Sequence, residues 1–434
     1  MEEGRPPDPV LKYAIIIPDG AADHPLDELD GRSPFEVARK PHTDRLSIEG
    51  RQGTVVTTPP DFPCGSDVCT MSLLGYDPAA YHTGRAPLEA AASGIDLGPD
   101  DWVFRVNLVT VVDGAMVDHS AGHIRSDEGR RLIEQFAAHR GDAIGRSGTD
   151  AASAEHEPAE CVYYPGVSYR NLMVDRSGRH DWTQTKTVGP HDILGEPVED
   201  HLPRGGPHAD LLRDIFESSA AFLATHDINE TRRDLGELPA THLWPWGQGR
   251  RPVIDSFRNR FGLSGAMITA VDLLGGLAAL IEWPLLDVPG QTSYHDTDYA
   301  AAGRHAIDAL RDYDLVCVHI EAPDEASHAG DAATKIASIE EIDRHVVGPV
   351  HLALRKMGPE HRILYLPDHY TSVGSRMHDP TPVPFAMVGH QVRTVLERPF
   401  NEANAGLSDL HIQYGHELME YFLFGGLARP TTSA

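Results

Sequence analysis

The chain is poor in cysteine and in basic residues, and it has no apolar run long enough to cross a membrane. Its four cysteines, in 434 residues, show no CxxC spacing, which argues against a disulfide framework and a thiolate zinc site. The chain has 37 basic and 65 acidic residues, for a net charge of −28. This balance disfavours nucleic acid and anionic membrane surfaces as partners. The most apolar helix-like run, 273–281, is too short to span a bilayer.

These shortages predict a reduced, intracellular setting. Residues 1–9 are acidic and proline-rich and lack the apolar segment of a secretory signal. We therefore expect a soluble cytoplasmic protein, with the oligomeric state left open. A chain of 434 residues is too long for one small core, so two domains are expected.

What the sequence does contain is a set of acidic and imidazole side chains placed after apolar strands. The predicted strands are 13–17, 315–320 and 363–366. The side chains that follow them are Asp19 after the first, Asp324 and His328 after the second, and Asp368, His369 and, nine residues on, His378 after the third. In an open α/β sheet such strand ends form the ligand-binding edge. Mixed carboxylates and imidazoles predict a divalent metal site there.

A serine precedes an apolar helix in the turn Gly65-Ser66-Asp67. The free N–H groups and the positive dipole end of a helix N-terminus favour an anion. Ser66 at this point suits a nucleophile that carries a phosphate, and the alternative is that it only caps the helix.

The middle of the chain differs in its sequence pattern from its two ends. Strand candidates between 76 and 261 are separated by polar loops rich in glycine and proline, whereas strands and helices alternate on either side. This predicts an α/β protein with a doubly wound parallel sheet core, 1–75 and 262–434, and an inserted smaller α/β domain, 76–261. In the C-terminal part, the apolar patterns predict a helix over 265–280, a strand over 285–288 and an amphipathic helix over 334–357.

Seven motifs, in this order, carry a resemblance to a known family. They are Pro18-Asp19-Gly20, Gly65-Ser66-Asp67, the segment 82–90 (HTGRAPLEA), Gly189-Pro190-His191-Asp192-Ile193, Trp246-Gly247-Gln248-Gly249, the segment 319–328 (HIEAPDEASH) and Pro367-Asp368-His369. Together they resemble the archaeal-type cofactor-independent phosphoglycerate mutases of the alkaline phosphatase superfamily. The resemblance covers nearly the whole chain. It implies an alkaline-phosphatase-like core with an inserted transferase domain, two divalent metal ions and a transiently phosphorylated serine.

The resemblance also implies roles for individual residues. One metal falls to Asp324, His328 and His378, and the other to Asp19, Ser66, Asp368 and His369. The substrate-binding positions are His123, Arg170, His191, Asp192, Asn229 and Arg232. Such ligands suit Mn²⁺ or Zn²⁺ better than Ca²⁺, and Mg²⁺ stays open.

The chain departs from the family in its basic residues. Where relatives usually read Asp-Arg-Arg-Ala-Gly-Arg-Ile, it has His119, Ser120 and His123, so three guanidinium groups are absent. A lysine expected in the helix after Tyr299 is missing, and Tyr370-Thr371-Ser372 replaces the usual Thr-Pro. The resemblance thus supports the reaction class more strongly than the substrate.

The expected activity is interconversion of 3-phosphoglycerate and 2-phosphoglycerate through a phosphoserine. One alternative is a related mutase, phosphatase or phosphotransferase that acts on another phosphorylated or phosphonylated small acid. The other is a non-catalytic, metal-stabilised binding protein.

Overall fold

The structure is a computed structural model that describes residues 11–145 and 160–425, so the N-terminal residues 1–9 considered above lie outside it. The chain forms two compact units, Met1–His82 with Ile254–Ala434, and Thr83–Val253. Segments 76–82 and 254–261, which the sequence-based boundaries gave to the inserted domain, belong to the larger unit. One reason is that the Tyr76 hydroxyl donates to the Asp255 carbonyl oxygen at 3.0 Å.

The elements alternate along most of the chain. The strands are β1 (Lys12–Pro18), β2 (Arg51–Val55), β3 (Trp102–Val112), β4 (Ala115–Asp118), β5 (Ala143–Ile144), β6 (Cys161–Tyr164), β7 (Arg170–Asp175), β8 (His242–Gly249), β9 (Gly265–Ile268), β10 (Leu315–Ile320), β11 (His361–Tyr365), β12 (Tyr370–Ser372), β13 (Met377–Asp379), β14 (Val383–Gly389) and β15 (His411–Ile412). The helices are α1 (Pro34–Val37), α2 (Pro41–Glu49), α3 (Ser66–Leu73), α4 (Pro78–Tyr81), α5 (Arg85–Ala92), α6 (Ser126–Arg140), α7 (Ala209–Ala224), α8 (Asp227–Asp234), α9 (Phe257–Phe261), α10 (Asp272–Leu280), α11 (Tyr299–Ala309), α12 (Ala322–Ala329), α13 (Ala332–Ile342), α14 (Gly348–Met357), α15 (Glu402–Gly406) and α16 (His416–Phe424). A π-helical turn, Asp343–Val347, joins α13 to α14. Within the described residues, no helix is long and apolar enough to cross a bilayer.

The larger unit is built on a seven-stranded sheet in the order β15-β2-β14-β11-β1-β10-β9. Strands β11, β1, β10 and β9 are parallel, whereas β14 is antiparallel to both neighbours. Every residue of β10 and nearly every residue of β1 is buried, as expected for parallel strands covered on both faces. The predicted α/β class and parallel core are confirmed.

The order of the parallel strands decides what lies at their C-terminal ends. Strand β1 pairs with β10 on one side and with β11 on the other, so the three loops that follow these strands leave the sheet side by side. The short antiparallel pair β12 and β13 places His378 opposite Thr371. This hairpin returns His378 to the loop that carries Asp368 and His369.

The smaller unit has its own sheet, in the order β4-β3-β7-β6-β5, with β8 also paired to β3. Strand β3 is antiparallel to β4, β7 and β8. Phe104 of β3 belongs to the same buried cluster as Phe136 of α6 and Leu212 of α7. This unit therefore has an apolar core of its own.

Two predicted elements in the C-terminal part differ from the structure. The segment 265–280 was expected to be one helix, but its first four residues form the buried strand β9, parallel to β10. Short apolar runs do not distinguish a buried strand from a helix, which explains the error. The segment 285–288 makes only an isolated bridge from Leu285 to Met267. The amphipathic pattern over 334–357 corresponds to α13 and α14 with the π-helical turn between them.

Backbone contact between α11 and the π-helical turn gives a stability prediction. A Cβ at Gly303 would lie 2.1 Å from the His345 carbonyl oxygen. We expect Gly303→Ala to lower the free energy of unfolding by about 2 kcal/mol, because one backbone would have to move. Gly406→Ala is the matched helical control, since its Cβ would meet no atom within 4 Å. Urea unfolding followed by circular dichroism measures both variants, and equal midpoints would contradict the packing argument.

Candidate active site

Four side chains gather where β1, β11 and α3 meet; we call them the serine site (Asp19, Ser66, Asp368, His369). Ser66 Oγ lies 3.2 Å from Asp19 Oδ2 and 3.2 Å from His369 Nε2. His369 Nε2 is also 3.4 Å from Asp19 Oδ1 and 3.5 Å from Asp368 Oδ2. Asp19, Asp368 and His369 are each fully buried. The structure thus brings together the four residues assigned above to one metal.

The position of Ser66 bears on whether it only caps its helix. The N-cap of α3 is Gly65, which has an extended backbone, and Ser66 is the first helical residue. The Ser66 hydroxyl faces Asp19 and His369 and makes no capping bond to the helix backbone. Its location also sets it beside the free N–H groups of the first helical turn.

Three more side chains form what we call the histidine site (Asp324, His328, His378). Asp324 lies in the first turn of α12 and His328 one turn later, as the spacing predicted. His328 Nε2 is 3.1 Å from Asp324 Oδ2, and His378 Nε2 is 3.5 Å from Asp324 Oδ1. The two imidazole Nε2 atoms lie 3.0 Å apart. All three side chains therefore converge on one point.

Backbone carbonyls fix the orientation of two imidazoles in the histidine site. The His328 Nδ1 atom is 3.0 Å from the Arg376 carbonyl oxygen, and the His378 Nδ1 atom is 3.1 Å from that of Cys64. A carbonyl oxygen only accepts, so each Nδ1 carries a hydrogen, and the neutral form of each ring presents its lone pair at Nε2. Two lone pairs at 3.0 Å repel each other unless a proton or a cation lies between them.

Charge at the two sites fits divalent cations. Asp19 Oδ1 and Asp368 Oδ2 are buried and have no hydrogen-bond partner among the described residues. Burial and the nearby Asp368 carboxylate raise the pKa of Asp19. Burial opposes protonation of His378, but the hydrogen bond and charge of Asp324 raise its pKa to about 9. Ions of the Mn²⁺ or Zn²⁺ type would coordinate these carboxylate oxygens and imidazole nitrogens.

Two groups beside the serine site, the buried His319 and the half-buried Glu321, were not foreseen from the sequence. His319 Nε2 lies 3.1 Å from Asp19 Oδ2, and its Nδ1 lies 3.2 Å from Thr269 Oγ1. Burial lowers the pKa of His319 to about 4, so the ring is neutral, and its Nε2 atom has no hydrogen-bond partner among the described residues. Burial also raises the pKa of Glu321, at the end of β10, to about 7. A polar residue in the otherwise apolar run of β10 was the available signal for His319.

A buried ion pair holds the neighbouring loops. Lys335 Nζ donates to Asp23 Oδ2 at 3.0 Å, to the Ala22 carbonyl at 3.2 Å and to the Thr371 carbonyl at 2.7 Å. Lys335 lies on the buried face of α13. This lysine ties the loop after β1 to the loop after β11.

In the smaller unit, several predicted substrate residues surround Tyr169. The rings of His119 and His123 lie 5.6 and 6.2 Å from the Tyr169 ring, centre to centre. The Arg170 guanidinium carbon is 5.8 Å from the Tyr169 ring centre, and the His191 ring is 6.3 Å from that of His119. Arg170, His191 and Asp192 are exposed, with Asp192 Oδ1 3.5 Å from His191 Nε2. We call His119, His123 and His191 the imidazole cluster.

The imidazole cluster carries less charge than arginines would. Burial lowers the pKa of His119 and of His191 below their usual value, so both rings are neutral at pH 7. Ser120, which also replaces an arginine, is completely buried and donates to Asp118 Oδ1 at 2.6 Å. Position 120 therefore supports the turn and does not face a ligand.

Asn229 and Arg232 have internal partners. Asn229 Nδ2 donates to the carbonyls of Leu223 and Ala240, and its Oδ1 accepts from the Ala240 N–H. The Arg232 guanidinium bonds to Glu128 Oε2 at 2.7 Å and to two backbone carbonyls. Asn229 is 0% exposed and Arg232 2%. Both side chains hold the fold of the smaller unit together, so we leave them out of the substrate site proposed below.

Comparison with known proteins identifies the family of this chain. The family model described as 2,3-bisphosphoglycerate-independent phosphoglycerate mutase matches residues 48–229. A protein of Methanothermobacter thermautotrophicus, named 2,3-bisphosphoglycerate-independent phosphoglycerate mutase 2, is 45% identical over 95% of this chain and 97% of its own length. A Methanothrix thermoacetophila protein with the same family name is 43% identical over 96% and 100%. The chain belongs to this family.

Two solved structures share the fold. A Pyrococcus horikoshii protein has a TM-score of 0.76 at 27% identity, covering 98% of this chain and 99% of the other. The cofactor-independent phosphoglycerate mutase of Thermoplasma acidophilum has a TM-score of 0.63 at 26% identity, covering 95% and 99%. The likeness spans both units of this family member.

The bonds of Asn229 give a prediction that separates a structural role from a substrate role. Asn229→Ala should lower the free energy of unfolding by about 3 kcal/mol, because it leaves buried backbone groups without partners. Asp192→Ala, at a side chain that is 61% exposed, should leave it unchanged within about 0.5 kcal/mol. Denaturant unfolding of the full chain measures both. An Asn229→Ala variant as stable as the parent would refute the structural role.

Proposed function

We propose that this chain is a metal-dependent phosphoglycerate mutase that interconverts 3-phosphoglycerate and 2-phosphoglycerate through a phosphoserine on Ser66. The observation that carries the proposal is the Ser66 hydroxyl, which lies 3.2 Å from both Asp19 and His369 at the N-terminus of α3. A serine needed only for packing or capping would not require two buried ligand-type groups beside its oxygen. The names of the relatives support the same substrate.

Two divalent ions would be held by the serine site and the histidine site, with Mn²⁺ the favoured ion and Zn²⁺ or Mg²⁺ the alternatives. When bound, such ions favour the ionised form of a coordinated hydroxyl and offset negative charge on a phosphoryl group. The residues prepare for this role by keeping their donor atoms aimed inward. His328 and His378 present Nε2, and Asp19 and Asp368 each keep one oxygen without a protein partner.

In the first step Ser66 Oγ attacks the phosphorus of the substrate. The bond from phosphorus to the glycerate oxygen breaks, and that oxygen takes up a proton as a hydroxyl, balancing the one that Ser66 gives up. The N–H groups at the start of α3 stabilise the phosphoserine that results. In the second step the other glycerate hydroxyl attacks the phosphoserine, which restores Ser66 and gives the isomeric product.

The glycerate must stay bound between these steps, because water would otherwise take the phosphoryl group and release inorganic phosphate. We propose Arg170, His123, His191 and Asp192 as the substrate-binding residues. Arg170 supplies the one permanent positive charge of this set and can bond a carboxylate or phosphate through two N–H groups. We also infer a cytoplasmic location, which the four free cysteines support.

The intermediate and the metals can be tested in one set of experiments. With Mn²⁺ the protein should interconvert the phosphoglycerates, excess chelator should abolish turnover, and a quenched reaction should carry phosphate on the Ser66 peptide by mass spectrometry. Ser66→Ala should lose several orders of magnitude in kcat. Ser72→Ala, on the same helix and with no hydrogen bond from its hydroxyl, is the matched control.

Three outcomes would contradict the mechanism: phosphate found on a histidine, parental rates for Ser66→Ala, or full turnover in chelator with no metal bound. Good turnover of a different phosphorylated acid, with none of phosphoglycerate, would favour the related-enzyme alternative. His119, Ser120 and His123 in place of arginines are the observation behind that alternative.

The His119 and His191 rings give a prediction about pH. Because burial lowers the pKa of His119 and His191, their positive charge appears only as the pH falls below about 6.5. The KM for 3-phosphoglycerate should therefore fall between about pH 7.5 and pH 5.5, and phosphate release per turnover should fall with it. The double variant with His119→Arg and His123→Arg should lower KM at pH 7.5 and flatten its pH dependence.

Steady-state assays of product and of inorganic phosphate across this pH range measure both quantities. KM is the informative constant, since kcat also reports protonation of the metal-ligating imidazoles. A parent enzyme with a pH-independent KM and no phosphate release would show that the missing arginines do not matter. Ser120 is kept in both proteins because its hydroxyl is buried in the turn.

A further inference from the structure

One hydroxyl group connects the serine site to the histidine site. Thr371 Oγ1 lies 2.5 Å from Asp324 Oδ1 and 3.1 Å from His369 Nδ1. The Thr371 side chain is completely buried. It touches one proposed ligand from each site and was noted in the sequence only as a departure from the family pattern.

The directions of these two hydrogen bonds follow from chemistry. A hydroxyl has a single hydrogen, and the Asp324 carboxylate can only accept, so Thr371 donates to Asp324. His369 Nδ1–H must then donate to Thr371 Oγ1. The neutral His369 ring is thereby held with its Nε2 lone pair toward Ser66 Oγ, 3.2 Å away.

Thr371 differs in kind from the groups that orient the other imidazoles. His328 and His378 donate to backbone carbonyls. A carbonyl oxygen accepts a hydrogen bond but has no hydrogen to donate to another group. A hydroxyl accepts and donates at once, so the bond from His369 continues to Asp324. His369 is itself common to both clusters of potential ligand atoms, one with Asp324 and His378 and one with Asp19 and Asp368.

Three neighbouring groups fix the position of the Thr371 hydroxyl. Lys335 Nζ donates to the Thr371 carbonyl at 2.7 Å, and β12 pairs Thr371 with His378 of β13. On the third side is Gly20, where a Cβ would lie 2.4 Å from Thr371 Oγ1 and 2.4 Å from Asp324 Oδ1. Gly20 also has a φ of +58°, so a larger residue there would be strained as well as crowded.

We propose that Thr371 is a positioning residue that sets the geometry of both metal sites at once. Its hydroxyl fixes the ring orientation of His369 and the carboxylate orientation of Asp324, although Thr371 is a ligand in neither site. This rests on the proposed function only in taking divalent cations as the occupants. Loss of the hydroxyl should weaken both binding steps together, whereas loss of a true ligand should weaken mainly its own.

The test compares Thr371→Ala and Thr371→Val, which remove the hydroxyl, with Thr371→Ser, which keeps it. Mn²⁺ binding to the metal-free full-length protein is measured by isothermal titration calorimetry, and His378→Ala serves as the ligand-loss comparison. We expect affinity to fall about 10- to 100-fold at both steps in the Ala and Val variants. The Ser variant should stay within about threefold of the parent, and His378→Ala should lose mainly one step.

Several results would overturn the proposal. Parental Mn²⁺ binding by Thr371→Ala would show that the hydroxyl is dispensable, and a Ser variant as weak as Ala would transfer the role to the methyl group. Weakening of a single step in the Ala and Val variants would refute the link between sites. Circular dichroism checks folding, and an Ala variant that does not fold would make the hydroxyl a folding requirement instead.

The outcome is separable from that of the proposed function. Normal Mn²⁺ binding in the parent, with the expected losses in the variants but no turnover of phosphoglycerate, would leave this inference standing and remove the mutase activity. Turnover in the parent with unchanged Mn²⁺ binding in Thr371→Ala would do the reverse.

Discussion

The concentration of buried negative charge at one edge of the parallel sheet is the constraint on which the rest of this structure depends. Asp19, Asp324 and Asp368 are each at most 5% exposed and lie around the same imidazoles. Carboxylates so placed repel one another and lose their hydration, which is costly unless positive charge or hydrogen-bond donors are supplied. The fold meets part of this requirement itself, and divalent ions would meet the remainder.

The protein's own part of that compensation is a layer of buried polar groups behind the ligands. Lys335 and Thr371 each hold a proposed metal ligand or its loop through hydrogen bonds of 2.5 to 3.2 Å, and the buried His319 ring lies 3.1 Å from Asp19 Oδ2. Such groups hold the metal-coordinating atoms of the carboxylates and imidazoles in fixed orientations and so prepare the site for a metal. These groups depend on one another, because removing one partner leaves a buried polar group without a hydrogen bond.

The smaller unit rests on a different balance. Its apolar core is independent, and Asn229 and Arg232 satisfy backbone groups inside it. What it offers at the surface is Arg170 together with imidazoles that are neutral at pH 7. A neutral imidazole donates at most one hydrogen bond and carries no charge, whereas an arginine offers a paired, charged contact. The proposed substrate-binding residues therefore offer fewer paired, charged contacts than arginines at positions 119 and 123 would.

The sequence by itself determined the buried strands β1, β10 and β11, the i,i+4 pair Asp324 and His328, and the serine at the N-terminus of α3, because these depend on local periodicity and spacing. Strand β9 was not predicted from the sequence, because a four-residue apolar run is too short to show the periodicity of a helix or a strand. Only the tertiary structure decided which polar groups meet: Lys335 bonds Asp23 across 312 positions, and Ser66 lies beside His369 across 303. Such partners are set by strand order and packing, and so are the internal hydrogen bonds of Asn229 and Arg232.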